Sequence, residues 1–206
     1  MPSMPKIRRA IAFFDGQNLF HTAQGAFGYR WPNFDPVKLA EKICADQGWE
    51  LTQVRFYTGV HDAVKSSFWH KFWSKKLAVL GRRPNTFIFT RPLRYRSKTV
   101  KLPGGASHTF PTAEEKGIDV RLAIDLLRLA YDADYDVALV FSQDQDLSEA
   151  TDEVKRFSRE QNRWIKLACA FPSGANTNKR GINGTDWIHI DKNLYDACLD
   201  SRDYRP

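Results

Sequence analysis

Short runs rich in apolar residues recur along the chain, with longer amphipathic segments between them. The runs lack the strict apolar–polar alternation of a half-exposed strand, and continuous runs of this kind are typical of strands buried on both faces of a parallel sheet. The predicted strands cover residues 11–14, 54–57, 86–90, 136–141 and 165–170, with a shorter candidate at 187–190.

The segments between these strands predict helices, because apolar residues recur in them three and four positions apart. Asp35 and Pro36 are the residue types expected at an N-cap and at the first helical position. Thr112 and Glu115 fit a capping box at the start of a later helix. The predicted helices begin at Asp35 and near Asp62, and two more cover about 114–130 and 148–160.

The alternation of strands and helices indicates βαβ units and a mostly parallel sheet. We therefore expect an α/β fold, a three-layer sandwich whose central sheet of about five strands carries helices on both faces. The length suits a single domain spanning residues 1–206. Within it we expect an exposed basic arm at about 82–112, with a turn at 103–105, and a C-terminal extension at about 171–206.

Basic residues are concentrated in one part of the chain. The formal net charge is +7, from 31 basic and 24 acidic residues, yet no Asp or Glu occurs between Val64 and Thr112. That stretch holds eleven basic residues, and the rest of the chain, with 20 basic and 24 acidic residues, is mildly acidic. Such an asymmetry favours an anionic partner, nucleic acid first, over the alternative of a solvated surface that only aids solubility.

The composition argues against the membrane and secreted classes of protein. Hydrophobic residues make up 42% of the chain, which is enough for a core, and no apolar run approaches the roughly 18 residues of a spanning helix. The first residues carry charge without the apolar stretch of a secretory signal. Because the three cysteines are scattered and show no metal spacing, we expect reduced thiols, a cytoplasmic location and no membrane partner.

Acidic residues follow two of the predicted buried strands. The first strand runs into Asp15 and Asn18, and the fourth runs into Ser142, Asp144 and Asp146. Because ligands of such sheets bind at the carboxyl ends of the strands, these side chains are candidates for one site. An extended backbone would point Asp144 and Asp146 the same way. The alternative is that an Asp caps the following helix, which applies best to Asp146.

A further carboxylate lies on the apolar face of the helix predicted at 114–130. A lone carboxylate on that face is costly to bury unless it is paired or bound to metal. We therefore expect Asp119 to point inward, toward the edge of the sheet at the carboxyl ends of the strands, where Asp15 and Asp144 are expected. We call this edge the rim. The alternative is a carboxylate that only complements the helix dipole. Arg121, Asp125 and Arg128 fall on the far side of the helical wheel and predict solvated ion pairs.

The helix predicted near Asp62 carries aromatic residues that recur at helical spacing along one face. Phe68 and Phe72 are four residues apart, and so are Trp69 and Trp73. Exposed aromatic side chains of this kind can stack on nucleobases. The helical spacing favours burial instead, and we expect these residues to form part of the core.

Carboxylates brought together at one rim repel one another, and a divalent cation resolves the repulsion. Oxygen ligands with water suit Mg²⁺ or Mn²⁺, whereas the five histidines show no zinc-ligand spacing. A hydrated metal held by aspartates beside a basic surface suits phosphodiester hydrolysis, since the metal polarises a phosphoryl oxygen and lowers the pKa of an attacking water.

Three motifs, in this order, resemble NYN-domain proteins of the PIN-like nuclease superfamily. They are Phe14–Asn18, Lys116–Asp125 and Phe141–Leu147, and the resemblance spans about residues 8–170. It implies a PIN-like fold and a metal-dependent ribonuclease. Asp125 is a further family candidate that we leave outside the core set because of its place on the helical wheel. The catalytic residues that the resemblance implies are Asp15, Asn18, Asp119, Asp144 and Asp146, of which the four aspartates are the metal ligands, with Ser142 in support.

Substrate contacts are predicted around this centre. The family pattern has small residues where this chain has Gln143 and Gln145, so these longer side chains either crowd the site or contact substrate. The loop at 171–186 is expected at the same rim, where its polar residues, Asn176 among them, suit phosphate contacts, with a plain surface turn as the alternative. The predicted substrate contacts are Arg94, Arg96, Lys98 and Lys101 on the arm, Lys116 in the second motif, Ser142 and Gln143 in the third, and Lys179 and Arg180 in the loop.

The leading hypothesis is a metal-dependent endoribonuclease that acts on single-stranded or structured RNA, with DNA as a second candidate substrate. The alternative is a non-catalytic RNA-binding or adaptor module that retains the fold, and Gln143 and Gln145 are the residues that favour it. A phosphohydrolase of small phosphate esters is disfavoured, because a small substrate needs few cations.

Overall fold

A six-stranded sheet forms the centre of the protein in the computed structural model, which describes residues 2–175 and 177–206. Its strand order is β3-β2-β1-β6-β7-β8, and every neighbouring pair is parallel. The predicted parallel sheet is confirmed, and the shorter candidate near the C-terminus is its sixth strand. The strands are β1 (Arg9–Asp15), β2 (Glu50–Val60), β3 (Thr86–Pro92), β4 (Arg94–Lys101), β5 (Ser107–Glu114), β6 (Val137–Phe141), β7 (Lys166–Pro172) and β8 (Asp186–Ile190).

Six α-helices accompany the strands in the described ranges, and none of them combines the length and apolarity needed to cross a membrane. The N-cap predicted for the second helix is confirmed, because Asp35 Oδ1 accepts the N–H groups of Val37 and Lys38 at 3.0 and 3.2 Å. The helices are α1 (Gly16–Phe27), α2 (Pro36–Gln47), α3 (Ser67–Leu80), α4 (Ile118–Tyr131), α5 (Ser148–Glu160) and α6 (Lys192–Ala197).

Two of the predicted helix starts were wrong. Asp62 does not begin α3; its carboxylate accepts N–H groups of a turn at 64–65, and the helix starts at Ser67. Thr112 belongs to β5, so no capping box forms with Glu115. Instead α4 begins after Gly117, whose φ of +76° lets the chain turn from the strand into the helix without strain.

The helices cover both faces of the sheet and make the expected three-layer sandwich. On one face Ala12 and Phe14 of β1 pack with α1, α2 and α3, and Tyr195 of α6 and the buried Tyr204 join the same cluster. On the other face Phe13 packs with α4 and α5. The C-terminal segment is thus built into the core through β8, α6 and Tyr204.

The strand order reverses between β1 and β6. From β1 the chain proceeds outward to β2 and β3, and from β6 it proceeds outward in the other direction to β7 and β8. The crevice at the carboxyl ends of β1 and β6 is therefore the topological switch point, which is where open α/β sheets bind ligands. Asp15 ends β1 and Ser142 follows β6, so the acidic motifs lie at this point.

The predicted basic arm at about 82–112 is an antiparallel hairpin outside the main sheet only over β4 and β5, whereas its earlier part contains β3, which belongs to the main sheet. The turn predicted at 103–105 lies at 102–106, and it contains Gly104 and Gly105, both with positive φ. The side chain of Tyr95 ties the hairpin to the body, because its hydroxyl lies 3.2 Å from His61 Nδ1 and 3.2 Å from the Asp62 backbone N.

Candidate active site

Asp15 lies at the centre of the switch point. It ends β1 and caps α1, where its Oδ1 accepts the N–H of Asn18 at 3.0 Å. Its Oδ2 accepts the hydroxyl of Ser142 at 3.3 Å, from the end of β6. The side chain is only 6% exposed. One carboxylate therefore joins both strands that flank the crevice.

The surroundings of Asp15 disfavour its charged form. Burial raises the pKa of Asp15 to about 6, and the negative charges of Asp144 and Asp119 add to the rise, while the hydrogen bonds from Asn18 and Ser142 oppose it. Because such charge effects act over short range, the three carboxylates share one electrostatic environment. The influence of Asp119 and Asp144 on Asp15 indicates that they lie near it, and a metal site formed by the three stays a prediction.

The two aspartates after β6 differ in position. Residues 145–147 form a 3₁₀ turn, in which Asp144 Oδ1 accepts the N–H of Asp146 at 3.0 Å. The backbone is not extended here, so the expectation that both carboxylates point the same way was wrong. Asp144 is partly buried beside Asp15, whereas Asp146 is exposed. Nor does Asp146 cap α5, whose N-cap is Leu147.

Glu115 is a site residue that the sequence analysis missed. Its Oε2 accepts the N–H of Gly59, and a Cβ at residue 59 would lie 2.7 Å from this oxygen, so the glycine makes room for the carboxylate. Burial raises the pKa of Glu115 to about 7, and the charges of Asp15 and Asp119 contribute. Asp119 itself is half-buried in the first turn of α4. Glu115 lies directly before the second motif. The sequence predicted a capping box for it, so it was not included among the predicted site residues.

Asp125 is buried, and the prediction that it forms a solvated ion pair was wrong in that respect. It is 2% exposed, and its Oδ2 accepts Tyr57 Oη at 2.8 Å and Arg55 Nη2 at 3.1 Å. The predicted partner Arg121 is present, with Nη2 at 3.0 Å from Oδ1. Burial alone would raise the pKa of Asp125, but the hydrogen bonds from Tyr57, Arg121 and Arg55 hold it below its usual value. Two cations and a hydroxyl occupy this carboxylate, so it anchors α4 on β2.

Gln143 and Gln145 hold the loop that follows β7. The amide of Gln143 donates to the carbonyl oxygens of Asn178 and Arg180, at 3.0 and 2.8 Å. The amide of Gln145 donates to Gly181 O at 2.9 Å. The Gln143 backbone N–H donates to Asn18 Oδ1 at 3.0 Å, which links this motif to the first one. The longer side chains thus fix the loop against the rim.

The loop lies at the same rim, as expected from its position after β7. Its cationic residues Lys179 and Arg180 are exposed, whereas Asn176 lies outside the described residues. Ser142, by contrast, is 1% exposed, and its hydroxyl both donates to Asp15 and accepts the N–H of Asp144 at 3.1 Å. Ser142 is therefore placed to position Asp15 and Asp144.

The hairpin presents its cations on two faces. The cross-strand register puts Arg94, Arg96 and Lys98 on one face and Lys101 on the other. All four are exposed, and Lys116 is exposed just before α4. The Nε of Arg96 lies 3.4 Å from Glu114 Oε2 on the neighbouring strand, an exposed ion pair.

Two cations of the acid-free stretch are engaged by the body of the protein, and one of them is fully buried. Lys76 is 1% exposed, and its Nζ donates to the carbonyl oxygen of Phe34 at 2.7 Å. Burial lowers the pKa of Lys76 to about 8. Arg83 makes a bidentate pair with the buried Asp35 at 2.9 and 2.6 Å. These two side chains serve the core, and the basic surface is correspondingly smaller than the sequence predicted.

The donor chemistry of the rim suits a hard divalent cation, because Asp15, Asp119 and Asp144 all supply carboxylate oxygens. Burial is the main cause of the raised pKa values of Asp15 and Glu115, and the charges of neighbouring carboxylates add to it, so a bound cation would relieve the repulsion. Within residues 2–175 and 177–206, however, no three His, Cys, Asp or Glu side chains form a ready-made metal-binding group. The carboxylates are suitable ligands for such a cation, but they are not arranged as a complete metal-binding group.

Comparison with known proteins agrees with this description. A family model described as NYN domain matches residues 9–165, and no curated protein matches the chain. Among solved structures, the chain is similar to VPA0982 from Vibrio parahaemolyticus RIMD 2210633, a protein of unknown function. The two are 17% identical with a TM-score of 0.55, over 92% of this chain and 97% of that one, so this likeness shows the fold alone.

NYN domains belong to the PIN-like superfamily and generally bind nucleic acid, and PIN-like nucleases typically use divalent metals. The matched range runs from β1 through α5, which is more than half of the chain and includes all three acidic motifs. The chain therefore belongs to the NYN-domain family, whose members are generally nucleases.

Proposed function

We propose that this protein is a metal-dependent endoribonuclease that hydrolyses phosphodiester bonds of single-stranded or structured RNA. The observation that carries the proposal is the shared environment of Asp15, Asp119 and Asp144 at the switch point, in a chain of the NYN family. A basic hairpin and a cationic loop flank this rim, as binding of a polyanion requires.

In this proposal Asp15, Asp119 and Asp144 hold the metal, and Asp146 is an outer candidate because it is exposed. A bound Mg²⁺ or Mn²⁺ would polarise the scissile phosphoryl group and lower the pKa of an attacking water. The backbone N–H of Asn18 in α1 and the hydroxyl of Ser142 after β6 each hold one oxygen of the Asp15 carboxylate, so that its oxygens keep one orientation. Residues held in this way need no rearrangement during the reaction.

Glu115 is the candidate for proton transfer. Its Oε2 is engaged by the N–H of Gly59, which leaves Oε1 to hold or release a proton toward the rim. The pKa of about 7 places this exchange near neutral pH, where a general acid or base works best. The role is proposed for Glu115 because it is the acidic neighbour of Asp15 and Asp119 that lies outside the set of metal ligands.

A non-catalytic RNA-binding module is the second candidate. It is favoured by the glutamine side chains that tie the loop to the rim and by the lack of a ready-made metal-binding group in the described residues. This candidate predicts RNA binding without cleavage under any metal condition.

Incubation of the protein with labelled RNA separates the two candidates. Single-stranded RNA, a stem-loop RNA and single-stranded DNA are each tested with Mn²⁺, Mg²⁺ or EDTA. The proposal predicts cleavage of RNA with metal and none with EDTA. Binding of RNA without cleavage in either metal would instead establish the non-catalytic module.

A further inference from the structure

A pocket opens beside the acidic rim, between α1, α3 and the base of the hairpin. Its volume is about 460 Å³, within the range of small-ligand sites. Phe20 of α1 and Trp69 of α3 lie side by side in its wall, and Leu93 and Ala113 line it at the hairpin. Glu115 lines the pocket as well as the rim, so the two are continuous.

The aromatic wall of the pocket differs from the core seam that the sequence predicted. Phe72 and Trp73 are buried, at 1% and 2% exposure, as expected. Trp69 is only partly buried, and its ring stacks near that of His61, with centroids 6.3 Å apart and planes 25° apart. Phe20 lies 6.0 Å from Trp69. Trp69 packs against the core through Phe72, and the part of its indole that stays accessible lines the pocket, where a further ring can contact it.

Polar groups surround this aromatic wall. Gln17 follows Asp15 by two residues, and Gln24 and Arg30 complete the same side of the pocket. Amide and carboxyl groups can both donate and accept hydrogen bonds, as the edge of a nucleobase requires. The hairpin cations begin at Arg94, next to Leu93 of the pocket wall. A strand whose phosphates contact the hairpin at Arg94 would therefore lie beside this opening.

We propose that the pocket receives one unstacked nucleobase from a bound single strand, which stacks on Trp69. The inference rests on the proposed function, because it takes the bound strand to be RNA. Stacking on an aromatic side chain is available to any base, so the pocket selects single strands over duplexes more than it selects a sequence. A base in a duplex would first have to leave its partner and its neighbours in the stack.

The test uses a single-stranded RNA in which 2-aminopurine replaces one nucleotide at a time, bound to the intact protein in EDTA. We expect the fluorescence to change most at one position, and an abasic nucleotide at that position to weaken binding on the order of tenfold. The Trp69→Ala variant should bind the intact strand on the order of tenfold more weakly and should no longer respond to the abasic nucleotide. Trp69→Tyr should restore the response.

Tyr131→Ala, at the far end of α4, is the matched control and should behave as wild type. The proposal is overturned if no abasic position affects wild-type binding, or if Trp69→Ala responds to the abasic nucleotide as strongly as wild type does. The first of these outcomes needs no variant, so misfolding of Trp69→Ala cannot obscure it. Failure of the proposed function shows separately, as a strand that binds with these position effects but is not cleaved when Mn²⁺ or Mg²⁺ is added.

Discussion

The acidic rim and the basic hairpin differ in burial and in how firmly their charged side chains are held. Asp15 is buried, is bound by Asn18 and Ser142, and lies where two central strands of the sheet end. The hairpin is exposed, pairs only β4 with β5, and contacts the body through Tyr95. Charges that stabilise a reacting group need fixed positions in a region of low dielectric constant. Charges that neutralise phosphates need reach and solvent, so the two regions suit catalysis and binding respectively.

Loss of the Asp15 charge gives the largest effect that this comparison predicts. Asp15→Asn should lower RNA cleavage at least about a hundredfold, the scale for removal of one preorganised electrostatic group. RNA binding should remain, because the cations that hold the strand lie elsewhere. Cleavage of labelled RNA with Mn²⁺ and binding in EDTA measure the two effects, and full activity of the variant would defeat the assignment.

Two control substitutions sharpen this result. Asp152→Asn, at an exposed aspartate of α5, should leave cleavage unchanged. Asp125→Asn should act on stability, because it leaves Arg55 and Arg121 without their buried counter-charge, at a cost of about 3 kcal/mol in the free energy of unfolding. Loss of cleavage in a fully folded Asp125→Asn protein would return Asp125 to the catalytic set.

The raised pKa values predict a dependence of stability on pH. Asp15 has a pKa of about 6 in the folded protein and an ordinary value of 3.8. The folded state thus keeps a proton that the unfolded chain has released, so stability falls as the pH rises through this interval, by about 3 kcal/mol in total. Glu115, with a pKa of about 7 against 4.5, acts in the same direction at slightly higher pH.

Urea unfolding in EDTA across this pH range measures the effect. The stability of Asp15→Asn relative to wild type should increase as the pH rises from about 4 to about 6, because the variant has no charge to bury. Added Mn²⁺ should stabilise wild type more than the variant. Parallel pH profiles for the two proteins would show that Asp15 is not desolvated as described.

The hairpin should control the salt dependence of RNA binding. Each phosphate neutralised on a single strand contributes about 0.7 to the slope of log affinity against log salt, so Ala at Arg94, Arg96 and Lys98 should flatten the slope by about 2. Lys101→Ala, on the opposite face, should change the slope by at most about 0.7, the contribution of a single phosphate contact. The loss should be similar for unrelated RNA sequences, and an unchanged slope would assign this face to another partner.

The loop at 171–186 should make a smaller contribution. Ala at Lys179 and Arg180 should weaken RNA binding on the order of fivefold and leave metal binding unchanged. Gln143→Ala should have a similar but weaker effect, because its amide holds the loop backbone at Asn178 and Arg180. Isothermal titration with RNA and with Mn²⁺ measures both quantities, and unchanged RNA affinity would leave the loop as a connection only.

The sequence predicted which edge of the sheet carries the acidic residues, but it did not predict the positions of all of those residues. Asp15 and Asp144 were found because a buried strand that ends in an acid places that acid at the edge of a parallel sheet. Asp125 was misplaced because a helical wheel contains only the helix, whereas Arg55 and Tyr57 on β2 draw this carboxylate inward. Glu115 was missed because its place depends on the N–H of Gly59, on a strand distant in sequence.

Two elements escaped prediction for local reasons. The helix α1 begins at Gly16, directly after the strand, and was not among the predicted helices. Trp69 shares the spacing of the core residues Phe72 and Trp73, and only the hairpin packed nearby shows that it lines a pocket. Spacing along one helix does not reveal which neighbouring element covers each side chain.

In this account the rim catalyses cleavage and the hairpin binds the RNA. Single-turnover cleavage of one labelled RNA with Mn²⁺, measured at increasing enzyme concentration, tests this claim most directly. The variant with Ala at Arg94, Arg96 and Lys98 should need more enzyme but reach the wild-type rate at saturation. Asp15→Asn should stay at the level of the EDTA control at every concentration while binding the RNA normally. A saturating rate that falls with the hairpin cations, or persists without the Asp15 charge, would contradict the account.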